Sequence, residues 1–138
     1  MAWLAPRVGA VPVRRFRVDP QAVRVALRLI GRGKGVGVFP EGERSWDGML
    51  QPLRRGTIKL LLKAGVPVIP CGIVGTYEIF PRWGHMNWLK VGPGREPVTI
   101  RYGAPIHLGK HDDRAERERA RPEATAKIES AMNAVMAR

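Results

Sequence analysis

The residues best suited to chemistry lie in one short loop, which runs from Pro40 to Gly48. Glu41 places a carboxylate there that can accept a hydrogen bond from a hydroxyl group or orient a guanidinium group. Gly42 has no side chain and lets the backbone approach a ligand closely. Arg44 presents a planar fork of donors that matches phosphate oxygens. The combination predicts a site for a phosphorylated ligand, and a surface turn with a local Glu–Arg pair is the alternative that spacing alone leaves open.

The segments on either side of this loop predict the fold that positions it. Residues 35–39 alternate glycine with apolar side chains, which is typical of a buried strand close to neighbouring backbone. Residues 53–64 carry apolar side chains at helical spacing, and Gly65 follows as a stop signal. Residues 66–74 form a second apolar run that predicts another buried strand. This alternation predicts an α/β domain with a mostly parallel sheet flanked by helices, and with ligand-binding loops at the ends of the strands.

Three further elements complete the prediction of one domain over residues 1–138. Asp19 and Pro20 are a typical cap and first residue of a helix, which should end at Gly31. Residues 98–102 predict a strand. The segment 107–138 is a charged stretch followed by a closing helix, whose apolar face we expect at Ala124, Ile128, Met132, Val135 and Met136.

The charge of the chain favours anionic partners. The net charge is +12, and residues 1–34 carry eight basic side chains against Asp19 alone. Such a surface attracts phosphate groups of lipids, nucleic acids or metabolites without distinguishing among them. No apolar run reaches the roughly 20 residues that cross a bilayer. A single cysteine, Cys71, excludes an internal disulfide.

Three ordered blocks resemble a known family. Residues 39–45, Phe-Pro-Glu-Gly-Glu-Arg-Ser, are similar to the Phe-Pro-Glu-Gly-Thr-Arg-Ser block of the glycerophosphate acyltransferases, with Glu43 in place of the usual threonine. Residues 9–15 look like the second block of that family and residues 66–70 like its fourth. Residues 54–56, Arg-Arg-Gly, resemble the segment between the third and fourth blocks. The chain thus resembles the lysophosphatidic acid acyltransferase type.

The resemblance implies an activity and a set of site residues. The activity is transfer of a fatty acyl group from acyl-CoA or acyl carrier protein to lysophosphatidic acid, which gives phosphatidic acid. By position, Arg15, Glu41, Gly42 and Arg44 would hold the acceptor phosphate, whereas Pro67 and Pro70 would shape the acyl-binding wall. No metal and no cofactor beyond the acyl donor are expected. The expected location is the cytoplasmic face of the cell membrane, with peripheral attachment to its anionic surface.

The catalytic base of this family is a histidine separated from an aspartate by four intervening residues, in a block upstream of the second. The three histidines here are His85, His107 and His111, and all follow the fourth block. Of these, only His107 has an aspartate at the family's spacing, Asp112, but the pair enters a charged run, and we interpret His107 as a solvated histidine near a helix start. We therefore expect the base upstream of Met1, in a fold that is N-terminally incomplete.

Two alternatives remain open at this stage. A non-catalytic remnant that binds phospholipid or a membrane surface would differ from the enzyme only in the base. Residues 79–83 and 88–89 carry apolar and aromatic side chains beside Arg82 and Lys90, as a loop at a membrane interface would, and ordinary packing over the sheet is the other interpretation. A basic nucleic-acid-binding module is the weaker alternative, because no RNA-binding block, helix-turn-helix pattern or zinc ligand set accompanies the arginines. No nucleic-acid partner is therefore expected.

Overall fold

The computed structural model describes residues 9–11, 13, 19–94 and 98–137. The chain divides into two units, residues 1–38 and residues 39–138. We describe each unit by itself, and the single domain over residues 1–138 stays a prediction.

The first unit contains helix α1, Pro20–Gly31. The Asp19 carboxylate caps it by accepting from the backbone N–H of Gln21 at 3.0 Å and of Ala22 at 3.3 Å. Ala26 is buried in its apolar face. The predicted cap and the predicted end of this helix are therefore confirmed.

The buried strand predicted over residues 35–39 is wrong. These residues form no strand, and Val38 and Phe39 are 40% and 75% exposed. A strand forms only where a neighbouring strand accepts and donates its backbone hydrogen bonds, and no described segment pairs with this one. Gly35 and Gly37 add the conformational freedom that disfavours an isolated extended run. The loop from Pro40 to Gly48 therefore follows a segment without regular secondary structure instead of a strand.

The second unit contains the remaining regular elements. Helix α2 spans Arg55–Ala64, and Gly65 ends it in the left-handed conformation, with φ of 62°. Strand β1 is Cys71–Val74, helix α3 is Thr76–Ile79, and a short 3₁₀ helix covers Trp88–Lys90. Strand β2 is Thr99–Tyr102 and helix α4 is Arg114–Met136.

The two strands of the described residues pair antiparallel. Cys71 lies opposite Tyr102 and Val74 lies opposite Thr99. An isolated bridge between Val68 and Ile106 extends the pairing. The chain reverses direction between β1 and β2 through α3 and the 3₁₀ helix, so no crossover helix is needed. The mostly parallel sheet predicted from the sequence is therefore not confirmed.

The core lies between α2 and α4. Ile58 and Leu62 of α2 are 1% and 0% exposed, and they pack with Ala124, Ile128 and Met132 of α4. The apolar face predicted for the closing helix is confirmed at its four buried positions. Burial of large aliphatic side chains here is the main source of stability for this unit.

The C-terminal part of α4 packs against one face of the two-stranded sheet. A Cβ atom on Gly72 would lie 3.0 Å from side-chain atoms of Val135 and Met136, so a larger residue there would require these side chains to shift. On the opposite face, Ile73, Ile100 and Tyr102 are exposed. The helix therefore covers one side of the sheet.

The charged run that precedes the apolar part of α4 belongs to the helix. Asp113 caps it, and Glu118 bonds Lys59 at 2.7 Å and Arg55 at 2.6 Å across to α2. These hydrogen bonds, first with Lys59 and then with Arg55, lower the pKa of Glu118 to about 2. A lowered carboxyl pKa stabilises the fold at pH values above 4.5, the ordinary pKa of the group. This stabilisation is lost as the pH falls toward about 2.

Among the residues that the structure describes, no helix is both long enough and apolar enough to cross a membrane.

Candidate functional site

Arg54, the residue just before α2, holds the first half of the candidate loop. Its backbone N–H donates to the carbonyl of Pro40 at 2.8 Å, and its Nε donates to the carbonyl of Glu41 at 2.9 Å. Gly42 has φ of 72°, and a Cβ there would come within 3.1 Å of the Arg54 side chain. The positive φ therefore favours glycine at this position, and a larger residue would also push the Arg54 side chain aside.

The carboxylate of Glu41 turns toward the protein. It is half-buried and accepts from the backbone N–H of Gln51 at 2.7 Å, which ties the two ends of the loop together. Burial raises the pKa of Glu41 above its ordinary value of 4.5, and the negative charge of Glu43 raises it further, while the Gln51 hydrogen bond lowers it. In this structure Glu41 shapes the loop, and its direct contact with a ligand stays a prediction.

The raised pKa of Glu41 makes a pH-dependent prediction. Ionising a carboxyl group whose folded pKa is raised costs stability, so this contribution falls as the pH rises from below 4.5 through the folded pKa. Glu41→Gln keeps an acceptor for the Gln51 N–H and cannot ionise. We therefore expect the free energy of unfolding of Glu41→Gln, relative to wild type, to increase between acidic and neutral pH. Urea unfolding at a series of pH values measures this difference.

Glu116→Gln is the control, because Glu116 is an exposed carboxylate in α4. It removes one negative charge without touching the loop. A Glu41→Gln curve that follows the control at every pH would contradict the assignment of burial as the cause.

Glu43 links the loop to a distant arginine. Its Oε1 lies 2.6 Å from Arg54 Nη2, and its Oε2 lies 2.9 Å from Arg82 Nη1. Arg82 also donates to the carbonyl of Arg44 at 2.7 Å. One carboxylate thus joins two guanidinium groups and fixes residues 41–44 against residues 80–83.

Arg44 is exposed at the surface of the same cluster. Its guanidinium carbon lies 4.7 Å from the centre of the Phe80 ring, a cation–π distance. Its Nη2 donates to the carbonyl of Arg82 at 3.2 Å. The guanidinium group is therefore oriented by the protein before any ligand binds, which is what bidentate recognition of phosphate requires.

Ser45 and Asp47 close the second half of the loop. Ser45 Oγ donates to the carbonyl of Met49 at 2.6 Å, and Asp47 Oδ1 accepts from the backbone N–H of Met49 at 2.9 Å and from Gln51 Nε2 at 2.8 Å. The Met49 hydrogen bond is the main cause of a lowered pKa of Asp47. These hydrogen bonds between side chains and the backbone hold the second half of the loop in shape, because the loop has no strand partner to bond with among the described residues.

The other predicted site residues lie apart from this cluster or outside the described residues. Arg15 falls outside them, so its approach to Arg44 stays a prediction. Pro67 is exposed and Pro70 is buried. The carbonyl of Pro70 accepts from the N–H of Gly103 at 2.9 Å, which continues the pairing of β1 with β2. A structural role for Pro70 is therefore visible, and the acyl-binding wall stays a prediction.

The histidine near the charged run forms no visible dyad. His107 is exposed, and Asp112 pairs with Lys110 at 3.1 Å between Nζ and Oδ2. A working dyad would need this carboxylate to accept from the imidazole. The contact supports our interpretation of His107 as a solvated residue, which stays a prediction.

An open cavity of about 450 Å³ lies between the N-terminal ends of α2 and α4. It is lined by Arg55, Lys59, Asp113, Arg114, Ala115 and Glu118. Its charges already pair with one another through Glu118. None of the predicted site residues lines it.

Sequence reasoning missed two residues that organise the candidate loop. Arg54 was noted only as part of the Arg-Arg-Gly segment, and Arg82 only as a cation beside aromatic residues. The departure from the family block at Glu43 was the available signal, because a new carboxylate in a basic chain needs a cationic partner.

Comparison with known proteins gives a consistent result. The family model described as Acyltransferase matches residues 1–74. The chain is 33% identical over 137 residues to the chloroplast 1-acyl-sn-glycerol-3-phosphate acyltransferase of Brassica napus. This match covers 98% of the present chain and 37% of the Brassica protein. It is 32% identical over 114 residues to the corresponding chloroplast protein of Arabidopsis thaliana, which covers 81% of this chain and 31% of that protein.

A bacterial protein is also similar. The 1-acyl-sn-glycerol-3-phosphate acyltransferase of Bacillus subtilis is 29% identical over 69 residues, which cover 50% of this chain and 34% of that protein. The chain thus spans about a third of the length of the curated relatives it matches. No solved structure is significantly similar to it.

Proposed function

The chain belongs to the acyltransferase family, and we propose that it contributes the acceptor-binding loop to an enzyme that acylates lysophosphatidic acid. In this reaction the free hydroxyl of the acceptor attacks the thioester of acyl-CoA or acyl-acyl carrier protein. A base takes the hydroxyl proton as the new ester bond forms, the carbon–sulfur bond breaks, and the departing thiolate receives that proton and leaves as the free thiol. The product is phosphatidic acid.

The local charge of the loop is the observation that carries this proposal. Arg54 and Arg82 share the carboxylate of Glu43, and Arg44, whose guanidinium group donates to the carbonyl of Arg82, lies exposed beside them. An exposed guanidinium group that the protein orients in this way favours a phosphate group as its ligand.

The relatives support the choice of acceptor. The proteins named above are called 1-acyl-sn-glycerol-3-phosphate acyltransferases, and a glycerol phosphate carries the phosphate that the loop would bind. Peripheral attachment to the cytoplasmic face of a membrane belongs to the same proposal, because the acceptor is a lipid and residues 1–34 are strongly basic.

Acceptor binding by the chain as it stands tests the proposal. The probe is a short-chain lysophosphatidic acid kept monomeric, and isothermal titration calorimetry measures its dissociation constant. We expect Arg44→Ala to weaken binding roughly ten- to a hundredfold, because one charge-assisted contact to phosphate is typically worth about 1.5–3 kcal/mol. The zwitterionic lysophosphatidylcholine of the same chain length should bind more weakly than the lysophosphatidic acid.

Arg119→Ala is the matched control, because Arg119 is an exposed arginine of α4. It changes the net charge equally and leaves the loop untouched. Equal affinities of the two variants would place acceptor binding elsewhere and remove the main support for the proposal.

A further inference from the structure

The loop that follows α3 exposes large apolar side chains. Trp83, Trp88 and Leu89 are 78%, 73% and 76% exposed, and Phe80 and Trp46 are 44% and 47% exposed. We call these five residues the aromatic rim. Trp46 and Trp83 lie 5.6 Å apart between ring centres, so the rim includes part of the candidate loop. A cluster of exposed apolar side chains marks an interaction surface, because removing its apolar surface from water lowers the free energy.

The structure fixes part of the rim in place. The guanidinium carbon of Arg82 lies 3.8 Å from the ring centre of Trp46 and 5.3 Å from that of Trp83. Glu43 holds Arg82 by an ion pair at 2.9 Å. The hydroxyl of Tyr77 donates to the carbonyl of Trp46 at 2.9 Å. A surface whose side chains are already ordered loses little conformational entropy when it docks.

Two hydrogen bonds of Asn87 anchor the part of the rim near the 3₁₀ helix. The N–H of Asn87 donates to the carbonyl of Ile79 at 2.8 Å, and the Asn87 side chain accepts from the N–H of Leu89 at 3.2 Å. Trp88 and Leu89 follow directly and point large apolar surfaces into solvent. The backbone of this segment is therefore held while its apolar side chains are exposed.

The chemistry of the rim matches the interfacial zone of a lipid bilayer. Tryptophan combines an apolar body with one polar N–H and is favoured at the level of lipid headgroups. Arg44 lies over the ring of Phe80 and is exposed, so it brings positive charge to the rim, as anionic headgroups require, whereas Arg82 lies over Trp46 and is paired with Glu43. We infer that the aromatic rim inserts into the interfacial zone of an anionic bilayer, with Arg44 and Arg82 at headgroup level.

This inference differs from attachment by charge alone, which the basic residues 1–34 predict. Insertion buries apolar area, so it persists when salt screens the charges. Insertion would also orient the candidate loop relative to the membrane, because Trp46 belongs to both the aromatic rim and the loop. The inference stands on exposure and contacts of the rim, so its test needs no acyl transfer.

Binding to vesicles tests the inference. The vesicles contain about three parts phosphatidylcholine to one part phosphatidylglycerol, so that they carry a negative surface. We expect the wild-type chain to stay bound at about 1 M salt, where the Debye length is only about 3 Å. We expect the double variant Trp83→Ala, Trp88→Ala to bind at least roughly tenfold more weakly at that salt, because two exposed indole rings no longer insert. Brominated lipids should quench wild-type tryptophan fluorescence.

Tyr102→Ala is the matched control, because Tyr102 is 72% exposed on β2, away from the rim. Circular dichroism establishes that each variant is folded, and Leu89→Ala provides a second rim variant that disturbs no ring contact. Equal loss of binding in the control and the rim variants would overturn the inference. Complete release from the vesicles at high salt would also overturn it. So would a chain that binds acidic carrier protein instead of vesicles, if the rim variants abolish that binding.

Discussion

Little or no acyl transfer to lysophosphatidic acid is expected from the 138-residue chain alone. Its histidines are His85, His107 and His111, and neither the sequence pattern nor the contacts of His107 and Asp112 supports a working base. The acceptor hydroxyl has a pKa far above neutrality, and loss of a general base typically costs about 10²–10⁴ in rate. A fusion that adds an upstream His-x-x-x-x-Asp segment from an acyltransferase relative should recover that factor. Release of free thiol from acyl-CoA measures both rates.

The same fusion with its added histidine changed to alanine is the control, because it keeps the extra chain and removes only the base. It should fall back to the rate of the 138-residue chain. Robust turnover by the short chain that His107→Ala abolishes would contradict this prediction and identify His107 as the base. The non-catalytic alternative instead requires that the fusion bind acceptor without turnover.

Leu62→Ala is expected to destabilise the unit of residues 39–138 severely. Leu62 is fully buried between α2 and α4, where it packs in one cluster with Ile58, Ala124, Ile128 and Met132. Truncating a buried leucine typically costs about 2–5 kcal/mol, because the cavity fills only partly. Native domains have only about 5–15 kcal/mol of stability in total. Urea unfolding followed by circular dichroism should show a much lower midpoint.

Leu89→Ala is the control, since Leu89 is 76% exposed and the chemical change is the same. Exposed substitutions usually change stability by less than about 0.5 kcal/mol. A Leu62→Ala midpoint equal to that of Leu89→Ala would show that α2 and α4 do not form the core of this unit.

The helices were predictable because their signals are local. Asp19 and Pro20 mark the start of α1, Gly65 marks the end of α2, and the apolar spacing of α4 identifies its buried face. The strand predicted over residues 35–39 failed for the opposite reason. A strand depends on a partner that may be distant in sequence, and alternating apolar residues carry no information about that partner.

The candidate loop was predictable in composition but not in orientation. Glu41, Gly42 and Arg44 lie in one loop, as their adjacency requires. Glu41 faces the backbone of Gln51, a contact across ten residues that no local pattern specifies. The hydrogen bond between Glu43 and Arg82 spans 39 residues, and it forms only because the chain returns after β1 and α3.

The Glu43 bridge has an evolutionary consequence. The usual threonine of the family block at this position is neutral and cannot join Arg54 and Arg82. Replacing Glu43 by threonine alone would leave two neighbouring guanidinium groups without their shared carboxylate, and replacing Arg82 alone would leave Glu43 with one partner. We therefore expect the residues at positions 43 and 82 to covary among relatives, so that a substitution at one position accompanies a substitution at the other.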